Sequence, residues 1–157
     1  MSPVFKRILD EHSELVFRIE ALAPVIDSAG QAIIGCLQQG GSVFFCGNGG
    51  SAADCQHLAA EFTGRFVRER GPLAGVALTT DSSALTAIGN DYGFEEIFAR
   101  QIAGLGKPGD CLVAISTSGN SKNVIRSVEA AKTVGVATIG LLGRDGGALK
   151  EICDIAV

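Results

Sequence analysis

Ser42-Val43-Phe44-Phe45-Cys46-Gly47-Asn48-Gly49-Gly50-Ser51-Ala52-Ala53 is a short apolar run that breaks into glycines and then enters a helix-forming segment. From Val43 to Cys46 no polar residue alternates with the apolar ones, so a strand here needs cover on both faces. Comparable runs recur at Gly75-Val76-Ala77-Leu78-Thr79, Cys111-Leu112-Val113-Ala114-Ile115, Ala137-Thr138-Ile139-Gly140-Leu141 and Cys153-Asp154-Ile155-Ala156-Val157. Helical stretches separate them. Strands covered on both faces and separated by helices predict an α/β fold, an open doubly wound five-stranded parallel sheet. In such sheets ligands bind outside the carboxyl ends of the strands, so the loops that follow the strands are where chemistry is expected.

Two N-terminal helices precede the first strand. Over residues 4–23, Val4, Ile8, Leu15, Ile19 and Leu22 recur at helical spacing with charges between them, and Pro24 is expected to break the helix. Val25, Ala29, Ile33 and Leu37 then mark one face of a second helix, with Gly40-Gly41 as its stop. There is no internal repeat, linker or low-complexity segment, and 157 residues suit a single domain over 1–157.

Composition narrows the function. Hydrophobic residues make up 46% and charged residues 19%, which excludes a disordered chain, and the 21 glycines follow no period of three, which excludes collagen. Thirteen basic against 17 acidic residues give a net charge of −4 without a Lys/Arg run, so nucleic acid is not an expected partner. No apolar stretch looks close to the roughly 20 residues that span a bilayer, and Met1-Ser2-Pro3-Val4-Phe5-Lys6-Arg7 does not resemble a signal peptide. The expectation is a soluble, cytoplasmic protein with no membrane partner. Five cysteines, an odd number without a C-x-x-C pair, fit free thiols in a reducing compartment.

The loop Gly47-Asn48-Gly49-Gly50-Ser51-Ala52-Ala53 offers close backbone approach and a helix start with unpaired N–H groups, an anion seat. It lacks the Gly-Lys-Ser/Thr of a P-loop and carries alanine where the dinucleotide fingerprint has its third glycine. The third strand ends in Ser116-Thr117-Ser118-Gly119-Asn120-Ser121, again just before a helix. Each hydroxyl alone is explained by helix capping. Two such loops at neighbouring strand ends favour a phosphate monoester shared between them.

On the helix after the first loop, His57, Glu61 and Arg65 share a narrow stripe with Asp54 among them, beside an apolar stripe of Cys55, Leu58, Phe62 and Phe66. His57 and Glu61 could share a divalent metal, and Glu61 could act as a general base. An ordinary Glu61–Arg65 ion pair meets the same spacing, and spacing alone favours it. Thr79-Thr80-Asp81 and Gly89-Asn90-Asp91-Tyr92-Gly93 could line the crevice or form turns; Gly143-Arg144-Asp145-Gly146-Gly147 reads as a turn.

Together, Gly47-Asn48-Gly49-Gly50-Ser51-Ala52, Gln56-His57, Glu61 with Thr63-Gly64-Arg65-Phe66, Leu85-Thr86-Ala87-Ile88-Gly89-Asn90-Asp91 and Ile115-Ser116-Thr117-Ser118-Gly119-Asn120-Ser121 resemble the sugar isomerase (SIS) domain family, and within it the phosphoheptose isomerases. The resemblance covers essentially the whole chain. It implies a flavodoxin-like sheet of five strands and an isomerase that turns sedoheptulose 7-phosphate into D-glycero-D-manno-heptose 7-phosphate on the way to lipopolysaccharide heptose. It also implies a homotetramer whose N-terminal helices, residues 1–40, serve assembly. By the same resemblance Ser51, Ser116, Ser118 and Ser121 hold the phosphate, while Asn48, Gly49, Arg65, Asn90, Asp91 and Thr117 contact the sugar. Glu61 is the implied base. Zinc is the implied cofactor, with His57 and Glu61 among its ligands.

The family pattern continues past the fifth strand into a helix that brings a Gln and a His to the site, whereas the sequence stops at Val157. The remaining ligands and the proton donor are therefore expected from a further segment. The alternative function is a non-catalytic SIS protein that binds sugar phosphates or a replication initiator; the acid at Glu61 favours the enzyme. A nucleotide-binding domain is disfavoured, since only Asp81 follows the second strand as a ribose reader.

Overall fold

The computed structural model describes residues 1–157. Helices α1 (Pro3–Ile19) and α2 (Ala23–Gln38) lead into β1 (Val43–Gly47), α3 (Gly50–Thr63), β2 (Gly75–Ala77), α4 (Ser82–Tyr92), α5 (Ala99–Leu105), β3 (Cys111–Ser116), α6 (Lys122–Thr133), β4 (Ala137–Leu142), α7 (Gly147–Ile152) and β5 (Ile155–Ala156). The five strands are parallel in the order β2-β1-β3-β4-β5, the doubly wound sheet expected. β2 and β5 are shorter than their apolar runs, since each lies at an edge with one neighbour to pair with.

Alternation along the strands divides the core in two. Val43, Phe45, Cys111 and Val113 face α2 and α3 with Ala29, Cys36, Cys55 and Ala59, and Phe45 meets Phe62 edge-on at 5.4 Å between ring centroids. Phe44, Cys46, Leu112 and Ala114 face the other way, against Leu78, Ile102, Val124, Val128 and Leu149. Both faces of the central strands are therefore dry, which is why their sequence shows no polar period.

The leading helices differ from expectation at their junction. Pro24 does not break the helix; it sits in the first turn of α2, where its missing N–H costs nothing, and a 3-10 turn at Glu20–Leu22 makes the bend before it. α1 buries no residue, and Val4, Phe5, Ile8, Leu15, Phe17 and Ile19 stand exposed. The continuous run Pro3–Gln38 is also long and apolar enough, by length and composition, to cross a membrane, contrary to the expectation from sequence. The Ala- and Gly-rich α2 supplies that hydropathy, and its Ala29 and Cys36 are packed on the sheet.

Two carboxylates, one buried and one exposed, tie strands to loops. Asp110, 2% exposed, accepts from the Ser42 N–H at 2.8 Å and the Lys107 N–H at 3.0 Å, fixing the entries of β1 and β3 together. Asp154 accepts from both the N–H and the hydroxyl of Thr138 at 2.8 and 2.7 Å; burial opposes its charge, but these donors and Lys132 outweigh it and hold the carboxyl below its ordinary range. All five cysteines are free, and burial pushes the Cys46, Cys55 and Cys111 thiols up to about 12, so they pack as small hydrophobes and are poor nucleophiles at neutral pH. Asp110→Ala leaves the Ser42 and Lys107 N–H groups without their acceptor and should lower unfolding free energy by about 1–3 kcal/mol in urea titrations; a loss under about 0.5 kcal/mol would show that water replaces the carboxylate there.

Candidate active site at the ends of β1 and β3

β1 and β3 are neighbours in register, with Gly47 opposite Ile115. Beyond β1 the chain turns through α3 to β2 on one side; beyond β3 it turns through α6 to β4 on the other. The sheet's winding reverses between these two strands, and the helices diverge to opposite faces, so a crevice opens at their carboxyl ends. The two expected loops fall at its two sides. A cleft of about 350 Å³ there is lined by Ser51, Asp54, Thr117 and Gly143 among Ile115 and Leu141. Another depression of similar volume lies between α5 and α6 beside the Arg126–Glu96 and Arg126–Glu129 ion pairs, on the flank of the sheet and away from the strand ends.

Both helices present unpaired first-turn donors to this end of the sheet: the N–H groups of Gly50 and Ser51 in α3, and of Lys122 and Asn123 in α6, have no acceptor within the chain. Gly49, at φ 56°, makes the turn into α3. The serines divide their tasks. Ser116 is 3% exposed, its hydroxyl accepting from the Gly119 N–H at 3.1 Å and lying 3.2 Å from the Ser121 hydroxyl. Ser121 precedes α6 but makes no side-chain cap, so the capping role that explains such a serine from sequence is not the one it plays. Ser51, Ser118 and Ser121 are half-buried, with oxygen atoms able to reach a ligand.

The segment after β4, read from sequence as a turn, is the floor of the second loop. The Leu149 N–H donates to the Gly119 carbonyl at 3.0 Å, the Gly143 N–H to Ser116 at 3.1 Å, and the Ala148 N–H to the Asn120 side chain at 3.0 Å. A Cβ on Gly119 would lie 1.9 Å from the Gly146 carbonyl oxygen, and one on Gly143 would lie 2.5 Å from that of Thr117. Backbone packs directly on backbone, with no room for a side chain between. The sequence signal was present in the glycines of Gly143-Arg144-Asp145-Gly146-Gly147, but a turn accounts for them equally well.

α3 carries the remaining candidates differently from expectation. It ends at Thr63, with Gly64 beyond it, so Arg65 and Phe66 leave the stripe: Arg65 pairs with Glu69 at 3.2 Å, and Phe66 is 73% exposed. The Glu61–Arg65 pair therefore does not form. His57 Nε2 instead lies 3.7 Å from Glu61 Oε1, with the histidine exposed and the carboxylate half-buried. Arg70, which sequence reading passed over, folds back so that its guanidinium donates to the carbonyls of Glu61 at 2.7 Å and Phe62 at 3.0 Å. It satisfies the orphan carbonyls of the last turn and steadies the turn that bears Glu61. Asn90 and Asp91 lie in the last turn of α4, bonded to each other at 2.8 Å and exposed. Asp81 caps α4 through the Ala84 N–H at 2.9 Å, which engages the one candidate ribose reader.

A SIS domain model matches residues 9–143. The chain is 54% identical over 145 residues to a phosphoheptose isomerase of Rhodospirillum rubrum, covering 92% of this chain and 77% of the relative, and 52% identical to one of Campylobacter concisus, covering 99% and 82%. The chain belongs to the SIS domain family, among the phosphoheptose isomerases. Its fold agrees: it superimposes on the phosphoheptose isomerase GmhA of Neisseria gonorrhoeae with a TM-score of 0.85 at 45% identity, covering 98% of this chain and 84% of that one. The phosphoheptose isomerase of Francisella tularensis gives 0.88 at 41% identity, covering 99% and 85%.

Of the residues that this SIS resemblance singles out, Ser51 and Thr117 line the cleft, Ser116 and Ser121 meet at 3.2 Å in the loop that also carries Ser118, and Asn48 bonds to Asn123 at the start of α6. Arg65, Asn90 and Asp91 remain on the surface, outside the cleft lining. His57 and Glu61 are two donors, and no group of three or more His, Cys, Asp or Glu side chains is placed to hold a metal ion. Zinc takes at least three protein ligands, so these two residues do not complete a site. Gly119→Ala should separate the Ser116–Ser121 loop from its floor and weaken binding of a phosphorylated sugar at least tenfold by calorimetry; unchanged affinity would show that the loop does not bind the phosphate.

Proposed function

We infer that this protein is a phosphoheptose isomerase, interconverting sedoheptulose 7-phosphate and D-glycero-D-manno-heptose 7-phosphate. The observation that carries it is the meeting of two hydroxyl-bearing loops and two helix N-termini at the ends of β1 and β3, in a chain more than half identical to enzymes of that name. The phosphate seats between Ser51 and the Ser116–Ser121 loop, where unpaired N–H groups and hydroxyls supply donors. Asn48, Gly49, Arg65, Asn90, Asp91 and Thr117 contact the sugar.

Glu61 acts as the base. A ketose becomes an aldose when a carboxylate removes a proton from the hydroxymethyl carbon while an acid protonates the neighbouring carbonyl oxygen, giving an enediol; the carboxylic acid then returns the proton to the adjacent carbon while the acid's conjugate base takes the proton of the terminal enediol hydroxyl, with no net redox change. Half-burial of Glu61 and the Arg70 brace behind it suit a carboxylate held at one place. His57 and Glu61 would be two of the ligands of a zinc ion, which with further ligands would polarise the sugar oxygens. The non-catalytic alternative, a sugar-phosphate or replication-initiator-binding regulator, is not favoured: Glu61 is kept, and the relatives at about 50% identity are named as isomerases.

Assembly as a homotetramer in the cytoplasm, in the supply of heptose for lipopolysaccharide, completes the reading. Its support is α1, whose apolar side chains at Val4, Ile8, Leu15 and Ile19 have no cover in one chain. Substituting Ile8→Asp together with Leu15→Asp should turn a tetramer into smaller species by light scattering; an unchanged mass would remove α1 from the interface. Glu61→Gln should abolish turnover while leaving sugar-phosphate binding intact, whereas Ser118→Ala with Ser121→Ala should weaken binding of the phosphorylated sugar. An active Glu61→Gln enzyme would end the assignment of the base.

A further inference from the structure

We propose that Asn123 is a positioning residue for the isomerase reaction, acting through Asn48: it clamps the side chain of the β1 loop onto the first turn of α6. The two carboxamides bond reciprocally, Asn48 Nδ2 to Asn123 Oδ1 and Asn123 Nδ2 to Asn48 Oδ1, both at 2.8 Å, across 75 residues of sequence. No other side-chain hydrogen bond joins the two loops that flank the crevice. Asn123 is 3% exposed, whereas Asn48 is only half-buried at the edge of the open end of the sheet.

The chemistry of the pair explains the choice of residue. A carboxamide has two N–H donors and an acceptor oxygen with two lone pairs, so the reciprocal bond uses one donor and one lone pair on each side. Asn48 keeps one N–H and one lone pair for a sugar hydroxyl, in a rotamer already set before substrate arrives. An unclamped asparagine would lose that rotamer freedom on binding, which reduces affinity and misplaces the contact. Aspartate at either position could return only one of the two bonds, and an apolar residue neither. The same pair also sets the spacing between the start of α3 and the start of α6, the two ends whose N–H groups converge on the anion.

The proposal rests on the reading of Asn48 as a sugar contact in the isomerase, and a double-mutant cycle separates the two. Asn48→Ala, Asn123→Ala and the double variant are compared with the intact chain for kcat/KM on sedoheptulose 7-phosphate, using protein assembled as it is isolated and with melting temperatures recorded alongside. Each single change should lower kcat/KM by about ten- to a hundredfold. The double variant should be no worse than Asn48→Ala alone within about twofold, because Asn123 acts only through Asn48. Losses that multiply would overturn the clamp, as would an Asn123→Ala enzyme with unchanged kcat/KM. Should Asn123→Ala fail to fold, Asn123→Ser takes its place in the same cycle, its hydroxyl stopping short of the carboxamide it replaces. If the intact protein does not turn over the sugar, the isomerase reading fails; the same four proteins are then compared for protection against thermal unfolding by sedoheptulose 7-phosphate. Non-additive loss of protection still supports the clamp, and multiplying losses, or no protection of the intact protein, overturn it.

Discussion

The pairing of β1 with β3 is the constraint on which the rest depends. Because these strands adjoin in space while β2 follows β1 in the chain, their outgoing helices must leave on opposite faces of the sheet. That divergence opens a crevice, directs two helix N-termini to it, and brings loops separated by some seventy residues within hydrogen-bond reach of each other. Remove the pairing, and Ser51 and Ser121 are two helix starts with no common ligand. The dry faces of Phe44, Phe45, Leu112 and Val113 hold the strands in place, so the hydrophobic core is also what assembles the site.

The second constraint is contact of backbone with backbone. The loop after β3 rests on the segment after β4 through Gly119, Gly143 and Gly146; two of the hydrogen bonds between them run from main-chain N–H to main-chain carbonyl, and a third from the Ala148 N–H to the Asn120 side chain. Main-chain contacts leave little freedom to adjust, since no side chain can change rotamer to absorb a shift. The loop after β3 is thus held by its floor beneath, by the Ser116 hydroxyl within and by the Asn48–Asn123 pair at its far end. Arg70 does comparable work for α3, holding the terminal carbonyls behind Glu61.

Legibility in the sequence followed the range of the interaction responsible. α6 begins at Lys122, directly after the Ser116–Ser121 loop where a helix is expected, since a polar loop marks its start locally. The stripe on α3 was extended two residues too far, to Arg65, because nothing in the local spacing announces that the chain turns at Gly64 and that Arg70 comes back to close the helix. Pro24 was read as a break because proline interrupts helix interiors; in the first turn it does not, and only the position of the bend before it tells the two cases apart. The glycines after β4 were legible as a turn and illegible as a floor, for Gly143 meets Thr117 and Gly146 meets Gly119, far away along the chain.

Period and composition were enough for the class of fold, the existence of five strands and the loops that carry hydroxyls, because each is written in neighbouring residues: alternation, glycine, a helix start. The likeness of those loops to a family of sugar-phosphate isomerases was legible for the same reason. Tertiary structure alone decided which strands adjoin, that Ser116 looks inward while Ser118 and Ser121 remain accessible, and that Asn123 grips Asn48. Those facts come from contacts between residues distant in the chain, whose free energy is gained only once the core has closed, and no local pattern records them.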